Sequence, residues 1–383
     1  MTDTEHERAT EAGPADRVTA VETFFDVVFV FTLTQLTRTL GESLTLATGA
    51  RILLVFGALW YMYGGYAWLT NHVPPRRAGQ KLALFVAMAG FFVAALAIPS
   101  AFAGGGVLFA AGYLAVIVVH LLLFTQADVH EGLLRLAPFN LGGALLLLAA
   151  GFTGGRMTYA LWIAGYLVMT VVPYLVPRLS WVGAAQTFHL SAGHFVERHG
   201  LLVMIALGES VIAIGMGVDL AHVTVGAIAM VVLALALPGA LWWAYFADEH
   251  AAEAALAAAD EPRRSLLALA AYYFAHIPIL LGIVAAAAGI HAAVAHPSLP
   301  AGWRAASALA GGVALFLLGM AAFRRALRID SPWSRVAAAL ASVASVPLGA
   351  LGSAWAHLAV VLSVVVLLLI ATRPRRAVPR AGA

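Results

Sequence analysis

Long runs of apolar residues recur along almost the whole chain and are separated by short polar segments. A helix that crosses the hydrocarbon core of a bilayer needs about 20 apolar residues. The runs are rich in Ala, Leu and Val and lack the alternation of a membrane β-strand, so they predict helices. We therefore predict an all-α polytopic membrane protein. Its twelve predicted spans are residues 20–40, 50–69, 82–103, 105–125, 133–152, 157–177, 199–218, 222–247, 265–290, 304–323, 334–352 and 354–371.

Similar short motifs six spans apart predict an internal repeat. Ala58-Leu-Trp-Tyr-Met-Tyr63 in the second span matches Ala240-Leu-Trp-Trp-Ala-Tyr245 in the eighth, and the following loop reads Pro-Arg-Arg in both places. Val21-Glu22 at the first span likewise matches Val196-Glu197 at the seventh. Chance matches are the alternative in a chain so rich in Ala and Leu. Because six is even, the halves would be parallel, related by an axis along the membrane normal.

The repeat divides the chain into four parts. We predict a polar cytoplasmic tail (1–19), a first six-helix half (20–177), a second six-helix half (178–371) and a basic cytoplasmic tail (372–383). The first tail is rich in acidic residues and lacks the positive start of a signal peptide. The first helix is therefore expected to stay in the mature protein.

The charged residues predict which side of the membrane each loop faces. Only 11% of the 383 residues are charged, against about 25% in soluble domains. Under the twelve-span arrangement, seventeen Lys and Arg residues lie on the side of the N-terminus and four on the other side. Short cytoplasmic loops are enriched in Lys and Arg, so both termini are predicted in the cytoplasm. The four on the outer side are Arg38, Arg51, Arg156 and Arg304.

The sequence lacks the motifs that are typical of several classes of function. The chain has no cysteine, which excludes disulfides and cysteine catalysis. It has no phosphate-binding G-x-x-x-x-G-K-[ST] motif, no H-E-x-x-H and no G-x-S-x-G. The basic residues are scattered over loops, although the pI is about 9.3. We therefore expect no enzyme activity, no cofactor and no nucleic-acid partner; the expected partners are the lipid bilayer and a small solute or ion.

Charged residues open the first and seventh spans. Glu22 and Asp26 are four residues apart and share a helix face, where like charges repel. They need a proton, a cation or an arginine between them. His194, Glu197 and Arg198 lead into the seventh span, and a guanidinium can bridge two carboxylates. We therefore predict that Arg198 pairs with Glu22 or Asp26 and that these two spans are in contact. A structural salt bridge and a solvated loop are the alternatives to a functional role.

A metal site is a further interpretation of the same segment. His194 and Glu197 are three residues apart and could face one metal ion, as in di-metal helix bundles. The sequence contains no second strong acid–histidine pair to complete such a site. We therefore predict no metal site.

Glu209 lies near the middle of the seventh span, about 15 Å along the helix axis from His199. A carboxylate at this depth costs at least ~2.5 kcal/mol on insertion scales and is a functional candidate by default. Its own span offers no basic residue within a turn, so Glu209 is expected to be neutral or paired across helices. His276, followed by Pro278 in the ninth span, is the best candidate partner, although a packed, satisfied histidine beside a proline kink is the preferred interpretation of this residue.

These segments resemble the bacterial low temperature requirement A (LtrA) family. The resemblance is carried by the segments 22–31, 197–210 and 242–246 and by the helix around His276, and it runs from about Val18 to Arg373. It implies a multi-pass bacterial membrane protein associated by name with growth in the cold, without a defined biochemical activity. The segment from Glu22 to Asp26 is also similar to the first helix of the endolysosomal potassium-channel family and its bacterial relatives.

Three classes of function fit these observations. A proton- or ion-coupled secondary transporter is favoured, because it predicts a midplane acid and two six-helix halves without an ATPase signature. A cation channel would line a pore with matching helices of the two halves. A non-transporting stress or signalling scaffold would need larger cytoplasmic surfaces than these short loops offer. The sequence specifies neither the solute nor the oligomeric state.

Overall fold

The computed structural model describes most of the chain. The described residues are 18–126, 130–175, 190–217 and 224–372, with the backbone alone for 130–135 and 174. The predicted division between the halves at 177 and most of both predicted tails lie outside the described residues.

Within the described residues the secondary structure is helical. We number twelve helical segments, one for each predicted span. They are α1 Ala20–Glu42, α2 Leu46–His72, α3 Ala78–Ala97, α4 Gly106–Phe124, α5 His130–Gly151, α6 Arg156–Thr170, α7 Ala192–Gly217, α8 Val225–Ala257, α9 Glu261–Ala295, α10 Gly302–Leu327, α11 Trp333–Leu351 and α12 Ala354–Ala371.

Three of these segments contain breaks. A two-residue turn splits α8 into Val225–Phe246 and Glu249–Ala257, and the single residue Ser345 splits α11 into Trp333–Ala344 and Val346–Leu351. In α9 a π-helical turn, Leu269–Phe274, separates Glu261–Ala268 from His276–Ala295. Two single-turn elements also follow helices, Ile98–Ser100 after α3 and Val172–Leu175 after α6.

Ten of the described helices are long and apolar enough to cross a membrane. The other two predicted spans are α5 and α6. The apolar part of α5 is Leu136–Gly151, which contains Pro138, and α6 has 15 residues. Fifteen residues rise only about 22 Å, less than the ~30 Å hydrocarbon core. The prediction of a multi-pass helical membrane protein is confirmed, whereas the count of twelve spans stays a prediction.

The helices α1 and α7 are parallel neighbours. Near their first turns Arg198 of α7 contacts Asp26 of α1. Further along both helices, Thr34 of α1 contacts Glu209 of α7. Because residue numbers increase in the same direction along both helices between these contacts, the two helices run side by side in one direction.

Glycines allow two other helix pairs to approach closely. A Cβ placed on Gly90 of α3 would lie 2.8 Å from the carbonyl oxygen of Gly112 in α4. A Cβ on Gly282 of α9 would lie 2.7 Å from the carbonyl oxygen of Gly312 in α10. Small residues let membrane helices pack backbone against backbone. The pairs α3–α4 and α9–α10 therefore pack this closely only because these glycines have no side chain.

We predict that Gly312→Ala destabilises the protein by about 1–3 kcal/mol, the usual cost of overpacking. The added methyl group would collide with the backbone of Ala286 on α9. Thermal unfolding in detergent measures the effect. The matched control is Gly311→Ala, because nothing lies within 4 Å of a Cβ at the neighbouring Gly311. Equal stability of the two variants would contradict close packing of α9 on α10.

Candidate functional site

A buried ion cluster joins the first turns of α1 and α7. The side chains of Glu22, Asp26 and Arg198 are each at most 1% exposed. Arg198 Nη2 and Nε donate to Asp26 Oδ1 at 3.2 and 3.3 Å, and Nη1 lies 3.5 Å from Glu22 Oε1. One guanidinium therefore lies between two carboxylates, which removes the repulsion expected for acids four residues apart. The contact predicted for Arg198 is present with both acids.

The start of α1 determines where Glu22 lies. Glu22 is the third residue of the helix, and its Oε2 accepts hydrogen bonds from the backbone N–H and the hydroxyl of Thr19 at 2.9 and 2.7 Å. This is the arrangement in which a glutamate binds back to the residue that caps its helix. Glu22 thus satisfies the helix terminus with one oxygen and faces Arg198 with the other.

His194 completes the cluster in a defined tautomer. Asn71 Oδ1 accepts a hydrogen bond from the N–H of Ser191 at 3.2 Å, so its amide nitrogen faces His194 Nδ1 at 3.1 Å. An amide nitrogen only donates, which makes Nδ1 the acceptor. Nε2 then carries the proton and donates to Glu22 Oε1 at 3.2 Å.

Two further contributors to the cluster come from α2 and were missed by the sequence analysis. Tyr63 donates its hydroxyl to Asp26 Oδ1 at 3.0 Å, and Thr70 accepts from Arg198 Nη1. The spacing of seven residues places both on one face of α2. Tyr63 is the last residue of the repeated motif, which we interpreted only as a sign of duplication. Its polar hydroxyl inside an apolar span was the available signal that it has a buried partner.

Glu209 lies between α7 and α1, deeper in the bundle. It is 5% exposed, and its Oε2 accepts the hydroxyl of Thr34 at 2.6 Å. Within the described residues Glu209 forms no ion pair with a cation. Burial penalises a charge at this position, and the one described bond to the carboxyl group comes from a neutral hydroxyl and not from a cation.

His276, the candidate partner of Glu209, bonds to other groups instead. The Nδ1 of His276 donates to the carbonyl of Ala271 at 2.9 Å, and its Nε2 accepts the hydroxyl of Tyr245 at 2.8 Å. Both ring nitrogens are thus occupied by other groups, and the ring packs 5.3 Å from that of His199. The preferred interpretation, a packed and satisfied histidine beside Pro278, describes His276 correctly. In the π-helical turn before it, the N–H of Ala275 bonds to the carbonyl of Ala270 and not to that of Ala271.

Glu197 lies outside the buried cluster. It is exposed, and its Oε2 accepts the N–H of Val18 at 3.3 Å. His194 instead turns towards Glu22, so the two residues do not face a common ion. No group of three or more His, Asp or Glu side chains with metal-binding geometry occurs in the part of the chain that the structure describes.

In the described part of the chain, ten helices are long and apolar enough to cross a membrane, and buried ionisable side chains join α1 to α7. These features define a multi-pass membrane protein. The sequence profile of the family described as bacterial low temperature requirement A protein (LtrA) matches residues 17–371. The chain is also 31% identical over 323 residues to an uncharacterized protein of Rhizobium meliloti (strain 1021), covering 82% of this chain and 79% of that protein. The chain therefore belongs to the LtrA family, as its motifs indicated.

Proposed function

We propose that this protein is a proton- or ion-coupled secondary transporter of the bacterial inner membrane, with Glu209 as the coupling residue. The observation that supports the proposal is the burial of Glu209 with only the Thr34 hydroxyl as its described partner. Ionisable residues inside the membrane typically mark ion or proton pathways. A carboxyl group without a fixed counter-charge can exchange its proton for a solute cation or release it to the other side.

We further propose twelve spans in two parallel six-helix halves. The offset of 175 residues that aligns Val21-Glu22 with Val196-Glu197 also aligns Thr34 with Glu209, which touch each other. In a parallel repeat, equivalent residues of equivalent helices meet where the pseudo-axis passes between them. The glycine contacts of α3–α4 and α9–α10 occupy equivalent places in the two halves. The glycine contacts support the repeat, and the contact of Thr34 with Glu209 supports a coupling residue at its axis.

The ion cluster and Glu209 take different parts in this proposal. Arg198 is held by Glu22 and Asp26 and closes the contact of α1 and α7 at one end. Glu209 lies about 16 Å further along α7 at 1.5 Å per residue. A fixed contact at one end and a single neutral hydrogen bond at the other allow the helices to separate around Glu209. This arrangement supports a carrier, in which the two helices move apart around Glu209 while the ion cluster stays closed.

Solute flux in proteoliposomes tests the proposal. Purified protein is reconstituted and a proton or sodium gradient is imposed, with uptake of candidate small solutes measured against protein-free vesicles. Uptake that follows the gradient and stops when an ionophore collapses it is the expected result. Conductance through a single opening without coupling would favour the channel alternative.

The proposed topology gives a separate prediction. Since the chain has no cysteine, the labelling of a single introduced Cys shows which side of the membrane that position faces, without labelling of native residues. Cys at the exposed positions Ala78 and Ser331 is expected to resist an impermeant thiol reagent in intact cells, because both lie in predicted cytoplasmic loops. Cys at Gly154 and Leu299, in predicted outer loops, is expected to react. The reverse pattern would invert the topology, and a mixed pattern would change the span count.

A further inference from the structure

A second buried charge cluster joins α8, α10 and α11. Arg324 of α10 donates to Asp248, which lies between the two parts of α8, and Arg335 of α11 donates to the same carboxylate at 3.3 Å. Arg324 Nη2 also donates to Asp330 at 2.9 Å. We call these four residues the α10–α11 arginine cluster. It lies at the same end of the bundle as Arg198, since a Cβ on Gly200 of α7 would lie 3.2 Å from the Glu249 carboxylate of α8.

The guanidinium donors of this cluster exceed its acceptors. Arg324 and Arg335 are 6% and 2% exposed. Their buried N–H groups at Arg324 Nε, Arg335 Nε and Arg335 Nη1 have no acceptor among the described residues. Leaving a buried donor unsatisfied costs about 1–3 kcal/mol, and more when the group is charged. The cluster therefore has the donors for an additional ligand that carries several oxygen atoms and negative charge.

The surroundings of the cluster are also positive. Arg325 and Arg328 lie exposed beside it, on the same helix end and the loop that follows. The first turn of α11 contains no acidic residue, so the positive end of its dipole is not compensated there. Trp333, the first residue of that helix, is 73% exposed. Tryptophan at such a position is typical of the membrane–water interface, which places the cluster at the depth of lipid headgroups.

We propose that the α10–α11 arginine cluster binds the phosphate group of an anionic membrane lipid. Guanidinium groups bind phosphate through paired N–H donors, and basic pockets between membrane helices bind anionic headgroups. The lipid phosphate takes the position of the Asp330 carboxylate, whose side chain is 60% exposed and occupies one donor of Arg324. The lipid's acyl chains then lie along the apolar outer faces of α10 and α11.

Asp330 thus competes with the lipid phosphate for the Arg324 guanidinium. The N–H of Ser331 at 2.7 Å and the nearby Arg324 charge lower the pKa of Asp330 below its ordinary value. Asp330 is therefore ionised at neutral pH and competes with the lipid as a carboxylate.

Association of spin-labelled lipids with the full-length protein tests the proposal. The protein is reconstituted in phosphatidylcholine vesicles, and labelled phosphatidylglycerol is compared with labelled phosphatidylcholine. Arg335→Gln, which removes two of the three unsatisfied donors, is expected to lower the preference for phosphatidylglycerol about fivefold, the factor expected for the loss of one net hydrogen bond to the phosphate. Asp330→Asn removes the competing charge at an exposed position and is expected to raise the preference.

The control is Arg304→Gln, which removes an exposed arginine from the opposite end of α10 and is expected to change nothing. An unchanged preference in Asp330→Asn would overturn the proposal even if Arg335→Gln fails to fold. In a separate arm, inorganic phosphate alone is added to protein in detergent. Thermal stabilisation of the wild type but not of Arg335→Gln by phosphate alone would assign the site to a free anion instead of a lipid.

Discussion

Glu209→Gln is expected to reduce gradient-driven flux to the level of protein-free vesicles while leaving the protein folded. Glutamine has the shape of a protonated glutamic acid, and its carbonyl oxygen can still accept the Thr34 hydroxyl that now lies 2.6 Å from Glu209. The substitution therefore removes only the exchange of a proton. Flux in proteoliposomes under an imposed gradient measures the effect, with thermal unfolding as the check on folding.

The matched control for this experiment is Glu197→Gln. It makes the same chemical change on the same helix, at an exposed position outside the buried cluster, and its flux should equal that of the wild type. Wild-type flux in Glu209→Gln, with unchanged dependence on the gradient, would show that the carboxyl group only supplies a hydrogen bond. The transporter proposal would then lose its main support.

Arg198→Met is expected to destabilise the protein by about 3–5 kcal/mol, because it leaves two buried carboxylates without a counter-charge. Arg198 contacts Glu22, Asp26 and Thr70, and its guanidinium carbon lies 5.6 Å from the centre of the Tyr63 ring. Methionine preserves much of the apolar stem but no donor. Unfolding in detergent, followed by loss of helicity with temperature or denaturant, measures the change.

Two comparisons separate the lost charge from lost packing. Arg38→Met breaks an exposed pair with Glu42, in which both side chains are more than half exposed, and should cost under about 1 kcal/mol. Combining Arg198→Met with Asp26→Asn should recover part of the loss, since it removes one of the unpaired charges. If Arg198→Met were as stable as Arg38→Met, the buried cluster would not stabilise the contact of α1 and α7.

The ion cluster could be predicted in part because its acids and its arginine lie on the two helices that carry the recognisable motifs. Glu22 and Asp26 share a helix face, and this spacing alone requires a counter-charge. The contributors from α2 could not be predicted, because polar residues such as Tyr63 and Thr70 are common in membrane helices and their roles depend on which helix packs beside them.

The partner of Glu209 shows the same limit. The depth of Glu209 along α7 followed from counting residues, and a similar depth in its own span made His276 a candidate partner. Depth does not specify the rotation of one helix relative to another. The ring of His276 bonds to Ala271 and Tyr245, while the parallel packing of α1 brings Thr34 to the carboxylate of Glu209.

The sequence by itself determined the membrane setting, the helical class and the family of this protein. Apolar runs of about 20 residues and the need to satisfy backbone groups in lipid allow few other structures. Only the tertiary structure decided which buried polar groups meet. Pairing across helices depends on helix rotation and close approach, as at the glycines of α3–α4 and α9–α10, and neither is encoded in the periodicity of a single helix. The arginine cluster of α10 and α11 was visible in the sequence only as loop charge, and its burial became known from the fold.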